Sequence, residues 1–259
     1  MTTPGYVLEA RGKAEEIRQR FGLAIEAVKD VFHFVEERGI LMARRPMGAG
    51  GIDGIYAKRK DVALTVINSD KQLGRQQFTA AHEYAHHLFD NTNLTIDQDI
   101  FNAKSLPERR ANAFAAHFLM PEAGVRRLLD ETRTFKELSP YDVVHLQYHY
   151  GVSYQAALYH LQNLNIITRV TREKWQELRP TRLALEIGYL DLYEDKKRGV
   201  SKLPADFVSR AVRAYEQADI SLNRLSELLE KDRDELEDTL TELGIIQQEP
   251  DIIEGMDEI

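Results

Sequence analysis

Residues 82 to 86 read His82-Glu83-Tyr84-Ala85-His86, and no other stretch of this 259-residue chain restricts its fold as tightly. Two histidines four apart on a helix lie on one face, one turn or about 6 Å along the axis. Both imidazoles then reach a single zinc ion, while the glutamate between them faces the attacking water as a general base. The flanking residues predict that helix. Phe78, Ala81, Ala85, Leu88 and Phe89 recur at helical spacing, giving one buried apolar stripe beside a His-Glu-His edge. The helix is expected from about Leu73 to Asp90.

Composition narrows the surroundings of that helix. With no cysteine, the chain has no disulfide, iron–sulfur cluster or cysteine-ligated zinc, which fits a reducing compartment. No run of 18 apolar residues occurs, and Met1 to Lys13 has no apolar core of the length a secretory signal needs. The expectation is a soluble cytoplasmic protein without a membrane partner. Its net charge of −8 is unevenly placed: residues 200–259 hold 16 acidic and 6 basic side chains, a net of −10, leaving about +2 for the rest. An acidic C-terminal segment argues against duplex DNA as a partner, because phosphate neutralisation supplies most non-specific affinity.

Hydrophobic period predicts helices over 8–22 and 24–38, ended by Gly22 and Gly39. Three segments then suit strands: Ile40 to Arg44, Gly51 to Ala57, and Val62 to Asn68. A polar loop, Asn91 to Asp99, follows the motif helix. Ser105-Leu106-Pro107-Glu108 reads as a helix start that Pro121 ends. Further helices are expected near 122–131, 140–150, 153–164 and 170–177; a coil-rich link with Pro180 and Glu194 to Gly199 leads to helices near 203–217, 221–230 and 232–243. A weak repeat at an offset of 79 aligns 142–167 with 221–246, each copy reading as capped helix, tight turn, capped helix and an Ile-Ile exit. That is the layout of a helix-turn-helix, with a generic pair of packed helices as the plain alternative.

Zinc in such a site needs a third protein ligand, with the fourth position left open. The extended H-E-x-x-H-x-x-G-x-x-H form is excluded by Phe89 and Thr92. Asp90, Asp97 and Asp99 are available on the loop. Glu108, 22 residues beyond His86 in the first turn of a separate apolar helix, is the better candidate. Asn112 lies one turn further on the same face, either as a hydrogen-bond partner of the ligand carboxylate or as a cap for an adjacent loop.

The stretch Phe78-Thr79-x-Ala81-His82-Glu83-x-x-His86, followed by Glu108-x-x-Ala111-Asn112-x-Phe114-Ala115-Ala116-x-x-Leu119-Met120-Pro121, resembles the ImmA/IrrE family of zinc metallopeptidases. The resemblance covers about residues 10–165 and is looser beyond 180. It implies an intracellular peptidase that cuts helix-turn-helix (XRE-type) repressors and so relieves repression of mobile-element or stress-response genes. Carried over, His82, His86 and Glu108 match the zinc ligands, Glu83 the catalytic base and Asn112 the family asparagine. Where the family often places an acid before the alanine, this chain has Arg110. Pairing of an extended substrate with the edge of the Val62 to Asn68 strand is also expected by resemblance to zincin folds.

The expected architecture is α+β: a zincin-like metallopeptidase domain with a small mixed or antiparallel sheet over 1–135, then helix-turn-helix-like regions over 136–180 and an acidic helical region over 181–259. The expected function is zinc-dependent endopeptidase action on a protein substrate; a His-His-Glu site would also accept manganese, iron or cobalt. His145, Tyr141 and Tyr148 are candidates for stabilising the oxyanion. Two other readings are a non-catalytic zinc-binding protein that sequesters a partner, and a DNA-binding regulator built on the helical repeats.

Overall fold

The computed structural model describes residues 3–60, 62–90, 94–97, 105–132, 137–190 and 205–247, with side chains for all of these except 94–97 and 205–207. The chain divides into two compact units, Met1–Glu177 and Leu178–Ile259.

Unit 1 is built on a four-stranded mixed sheet. Its strands are β1 (Ile40–Arg45), β2 (Gly54–Arg59), β3 (Val62–Asn68) and β4 (Leu94–Asp97), in the order β1-β3-β2-β4. β1 runs parallel to β3, with Ile40 opposite Ala63; β2 is antiparallel both to β3 and to β4, with Gly54 opposite Ile67 and Asp97. Alternation decides which face is covered. Ala63, Thr65 and Ile67 of β3 are buried on one side, whereas Val62 and Leu64 are exposed on the other. Onto this sheet pack the helix α3 (Leu73–Phe89) and, behind it, α4 (Leu106–Leu119) and α1 (Gly5–Arg20). The fold class is therefore the expected α+β with a small mixed sheet. One expectation fails: β3 is an interior strand, so it has no free edge for a substrate. Among the described residues the edges are β1 and β4, and β4 forms within what the sequence presents as a polar loop. Asn91 to Asn93, Gln98 and Asp99 of that loop lie outside the described residues.

The helix expected over 24–38 shrinks to α2 (Val31–Glu36). Buried Arg18 explains the loss. Its guanidinium donates to the carbonyls of Leu23, Ala24, Glu26 and Phe118, so the loop ahead of α2 finds its hydrogen-bond partner without coiling. Burial pulls the Arg18 pKa down to about 10. Asp30 then accepts from the His33 amide at 3.0 Å and starts the short helix. Four more helices complete unit 1: α5 (Glu122–Thr132), α6 (Pro140–Tyr150), α7 (Tyr154–Asn163) and α8 (Arg169–Gln176).

Unit 2 contains α9 (Pro180–Glu186), α10 (Ala205–Glu216), α11 (Leu222–Leu229) and α12 (Arg233–Leu243) around a core that includes Leu185, Val212, Leu225 and Leu240. α9 replaces expected coil, its proline occupying a first-turn position where no amide hydrogen is needed. Glu194 to Gly199 lie outside the described residues.

The weak repeat acquires backbone support. Gly151 ends α6 at φ 69° and Glu230, 79 positions later, ends α11 at φ 53°; Asn165 (φ 56°) and Gly244 (φ 69°) correspond in the same way after α7 and α12. Ser153 and Asp232 cap the second helix of each pair. Exposed Glu230 adopts a left-handed conformation that costs a non-glycine residue about 1 kcal/mol. Glu230→Gly is accordingly expected to stabilise unit 2 by about 0.5–1 kcal/mol in urea unfolding. Gly151→Ala should destabilise unit 1 by a similar amount; equal midpoints for parent and variants would contradict this.

Candidate metal centre

α3 is set over the sheet by an ion pair whose carboxylate is buried. The Asp53 carboxylate accepts from Arg75 Nε at 2.7 Å and Nη2 at 2.6 Å, joining the entrance of β2 to the first turns of α3. The next residue, Gly54, has no side chain for a physical reason. A Cβ there would sit 2.6 Å from Thr79 Cγ2 and 2.7 Å from Glu83 Oε1, so only glycine lets β2 pass this close to the helix. α4 begins where the sequence places it. Ser105 caps the Glu108 amide, and Pro107 fills the first turn, so Glu108 projects from the start of a helix packed against α3.

This arrangement brings His82, His86 and Glu108 together. His82 Nε2 lies 3.2 Å from Glu108 Oε2, His86 Nε2 lies 3.4 Å from Glu108 Oε1, and the two Nε2 atoms are 3.0 Å apart. A tetrahedral zinc with ligands at about 2.0–2.1 Å spaces its donors about 3.3–3.4 Å apart, so these separations fit one ion of that size. Both imidazoles are fully buried, and the Glu108 side chain is 27% exposed. The two histidines, His82 first, hold the Glu108 carboxyl well below the usual carboxylate range, which keeps it charged. Glu83 is fully buried on the same helix, under Gly54 of β2.

Each imidazole is oriented from behind. His82 Nδ1 donates to Asn112 Oδ1 at 2.8 Å, leaving the Nε2 lone pair for the cluster. His86 Nδ1 lies 2.6 Å from Asp90 Oδ2, and Arg110 Nη2 donates to Asp90 Oδ1 at 2.5 Å while its guanidinium stacks over Phe89. Asn112 thus meets the His82 imidazole, and Asp90, weighed from the sequence as a ligand, lies against His86 Nδ1. The readable signal for Asp90 was its place four residues after His86, one turn along the same face. Arg110 carried no such signal, because only the fold brings α4 beside the end of α3.

Asp90→Ala is expected to weaken zinc binding about 10- to 100-fold, measured by competition with a chromophoric chelator. An unchanged affinity would show that the His86–Asp90 hydrogen bond does not tune the site.

His145, Tyr141 and Tyr148 lie on α6, and His145 is not one of the three clustered donors. Burial pushes the His145 pKa down. His87 sits beside the cluster, its Nδ1 3.0 Å from Tyr56 Oη, and His117 is buried on α4.

A helix bearing H-E-x-x-H, a carboxylate brought to it by a second helix and a mixed sheet behind them define a zincin-like metallopeptidase domain. Residues 35–162 match the IrrE N-terminal-like domain of the peptidase M78 family, and the chain therefore carries a domain of that family. Among curated proteins none matches the chain. No helix among the described residues is long and apolar enough to cross a membrane.

Proposed function

We propose that this protein is a zinc-dependent endopeptidase of the cytoplasm that hydrolyses a peptide bond in a helix-turn-helix repressor and so relieves repression. The observation that carries the reading is the spacing of the three donor atoms, 3.0 to 3.4 Å, which suits one small divalent cation. His82, His86 and Glu108 would hold the metal, with the domain taken as residues 1–135 and the helical regions 136–180 and 181–259 as surfaces for protein contact. When bound, zinc supplies the Lewis acidity that polarises the scissile carbonyl and makes water acidic near neutral pH. Glu83 takes a proton from the attacking water and delivers it to the leaving amine. The substrate lies extended along the free edge of β4, the outer strand next to β2, because β2 is the strand that passes directly over Glu83.

The test is incubation of the full chain with zinc and any helix-turn-helix repressor encoded beside it. Two repressor fragments are expected, none in the presence of chelator, with cleavage restored by added zinc. An intact repressor that co-elutes with the chain under every condition would replace cleavage by sequestration.

A further inference from the structure

Unit 1 contains a cavity of about 520 Å³ between the N-terminal residues from Thr3 to Val7, α4 and α7. Its volume lies within the range of small-molecule sites, about 300–1,000 Å³. In a chain whose net charge is −8, no aspartate or glutamate is among the described residues lining it. Arg109 contributes a cation, and a second, Arg172, stacks 4.6 Å over the ring of the lining residue Tyr159. Phe78 and Tyr6 add further aromatic surface. The wall also has a built polar feature. Fully buried His160 donates from Nε2 to the Met120 carbonyl at 2.8 Å, which leaves Nδ1 as an acceptor, and that buried nitrogen has no hydrogen-bond partner among the described residues. Burial keeps His160 uncharged at neutral pH, so it adds no charge to the wall beside that of Arg109.

We propose that this cavity binds a small organic anion carrying a flat ring, and that its occupancy is felt at the metal centre through Asn112. The anion pairs with Arg109, the ring packs among Phe78, Tyr6 and Tyr159, and the neighbouring amides of Gln162 and Asn163 select for hydrogen-bonding substituents. Asn112 is the link, because the side chain that accepts from His82 Nδ1 also lines the cavity. A ligand that shifts this amide alters the orientation of a metal-binding imidazole. By linkage, zinc and ligand must change each other's affinity by the same factor.

The experiment is calorimetric titration of the full chain, zinc-loaded and chelated, with adenosine 5′-monophosphate and phenyl phosphate. Adenosine and inorganic phosphate serve as the ring and the anion alone. At least one ring-bearing anion is expected to bind about tenfold more tightly than either half. Binding should weaken about tenfold in Ala113→Phe, which fills the cavity from α4, and in the surface variant Arg109→Gln, with helix content and zinc content unchanged. The ligand affinity should differ between the zinc-loaded and chelated protein. The absence of saturable binding by both anions, or binding untouched by both variants, would overturn the site; phosphate binding as well as either compound would overturn the ring. Identical affinity with and without zinc would overturn the coupling. None of these readouts uses peptide hydrolysis, so a failure to cleave the repressor would leave them intact.

Discussion

Replacing Glu83 by glutamine is expected to leave zinc bound and to slow peptide cleavage by about 10²- to 10⁴-fold, the usual contribution of a positioned general base. Glutamine matches glutamate in size, so it fits the buried space beneath Gly54 without the clash that a larger group would make. It cannot accept a proton from water or hand one to the leaving amine. The three clustered donors come from other residues, His82, His86 and Glu108. Metal content and rate should therefore separate. In His82→Ala or Glu108→Ala they should fall together, since each removes one of the three proposed ligands. Metal analysis beside a timed cleavage gel distinguishes the cases, and a Glu83→Gln protein that cuts at the parental rate would remove Glu83 from the chemistry.

Acid should destabilise unit 1 well above the carboxylate range. Burial and the neighbouring His117 push His160 from 6.5 down to about 3, against the opposing effect of its hydrogen bond to Met120. The unfolded chain protonates this imidazole near its ordinary value, while the folded chain does not. Between those values the unfolded state binds the extra proton, so stability present above pH 6.5 is lost as pH falls toward about 3. The slope approaches about 1.4 kcal/mol per pH unit, which amounts to about 2–3 kcal/mol by pH 4.5. His117, lowered mainly by burial, adds in the same direction. Glu108, held below its ordinary 4.5 by the two histidines, withdraws its share only as pH falls below that value. Urea unfolding in chelator, so that zinc release does not contribute, measures the profile. His160→Gln keeps a donor for Met120 and should flatten the segment between pH 4.5 and 6.5; an equally steep variant would assign the loss to other groups.

The sequence made some of this plain and hid the rest, for physical reasons. The motif helix was legible because its period and its chemistry agree over 17 residues, and α3 spans Leu73–Phe89 where Leu73 to Asp90 was expected. The start of α4 was legible because serine, proline and glutamate satisfy the same unpaired amides at a helix entrance. The loop before α2 was not, because the residue that competes with helix formation there, Arg18, lies on another element and acts through its guanidinium. Position within a sheet is equally non-local: Val62 to Asn68 reads as a strand, but only the pairing of β1 and β2 on either side makes it interior. The backing of His86 by Asp90 was half visible in the spacing, whereas the contribution of Arg110 required α4 to be in place.

The two helix pairs at 142–167 and 221–246 turn the chain with left-handed residues at matching places, although glycine serves in one copy where glutamate or asparagine serves in the other. Because the bend is made by glycine, glutamate or asparagine, the direction in which each second helix leaves is set by the backbone at that place and not by one kind of side chain.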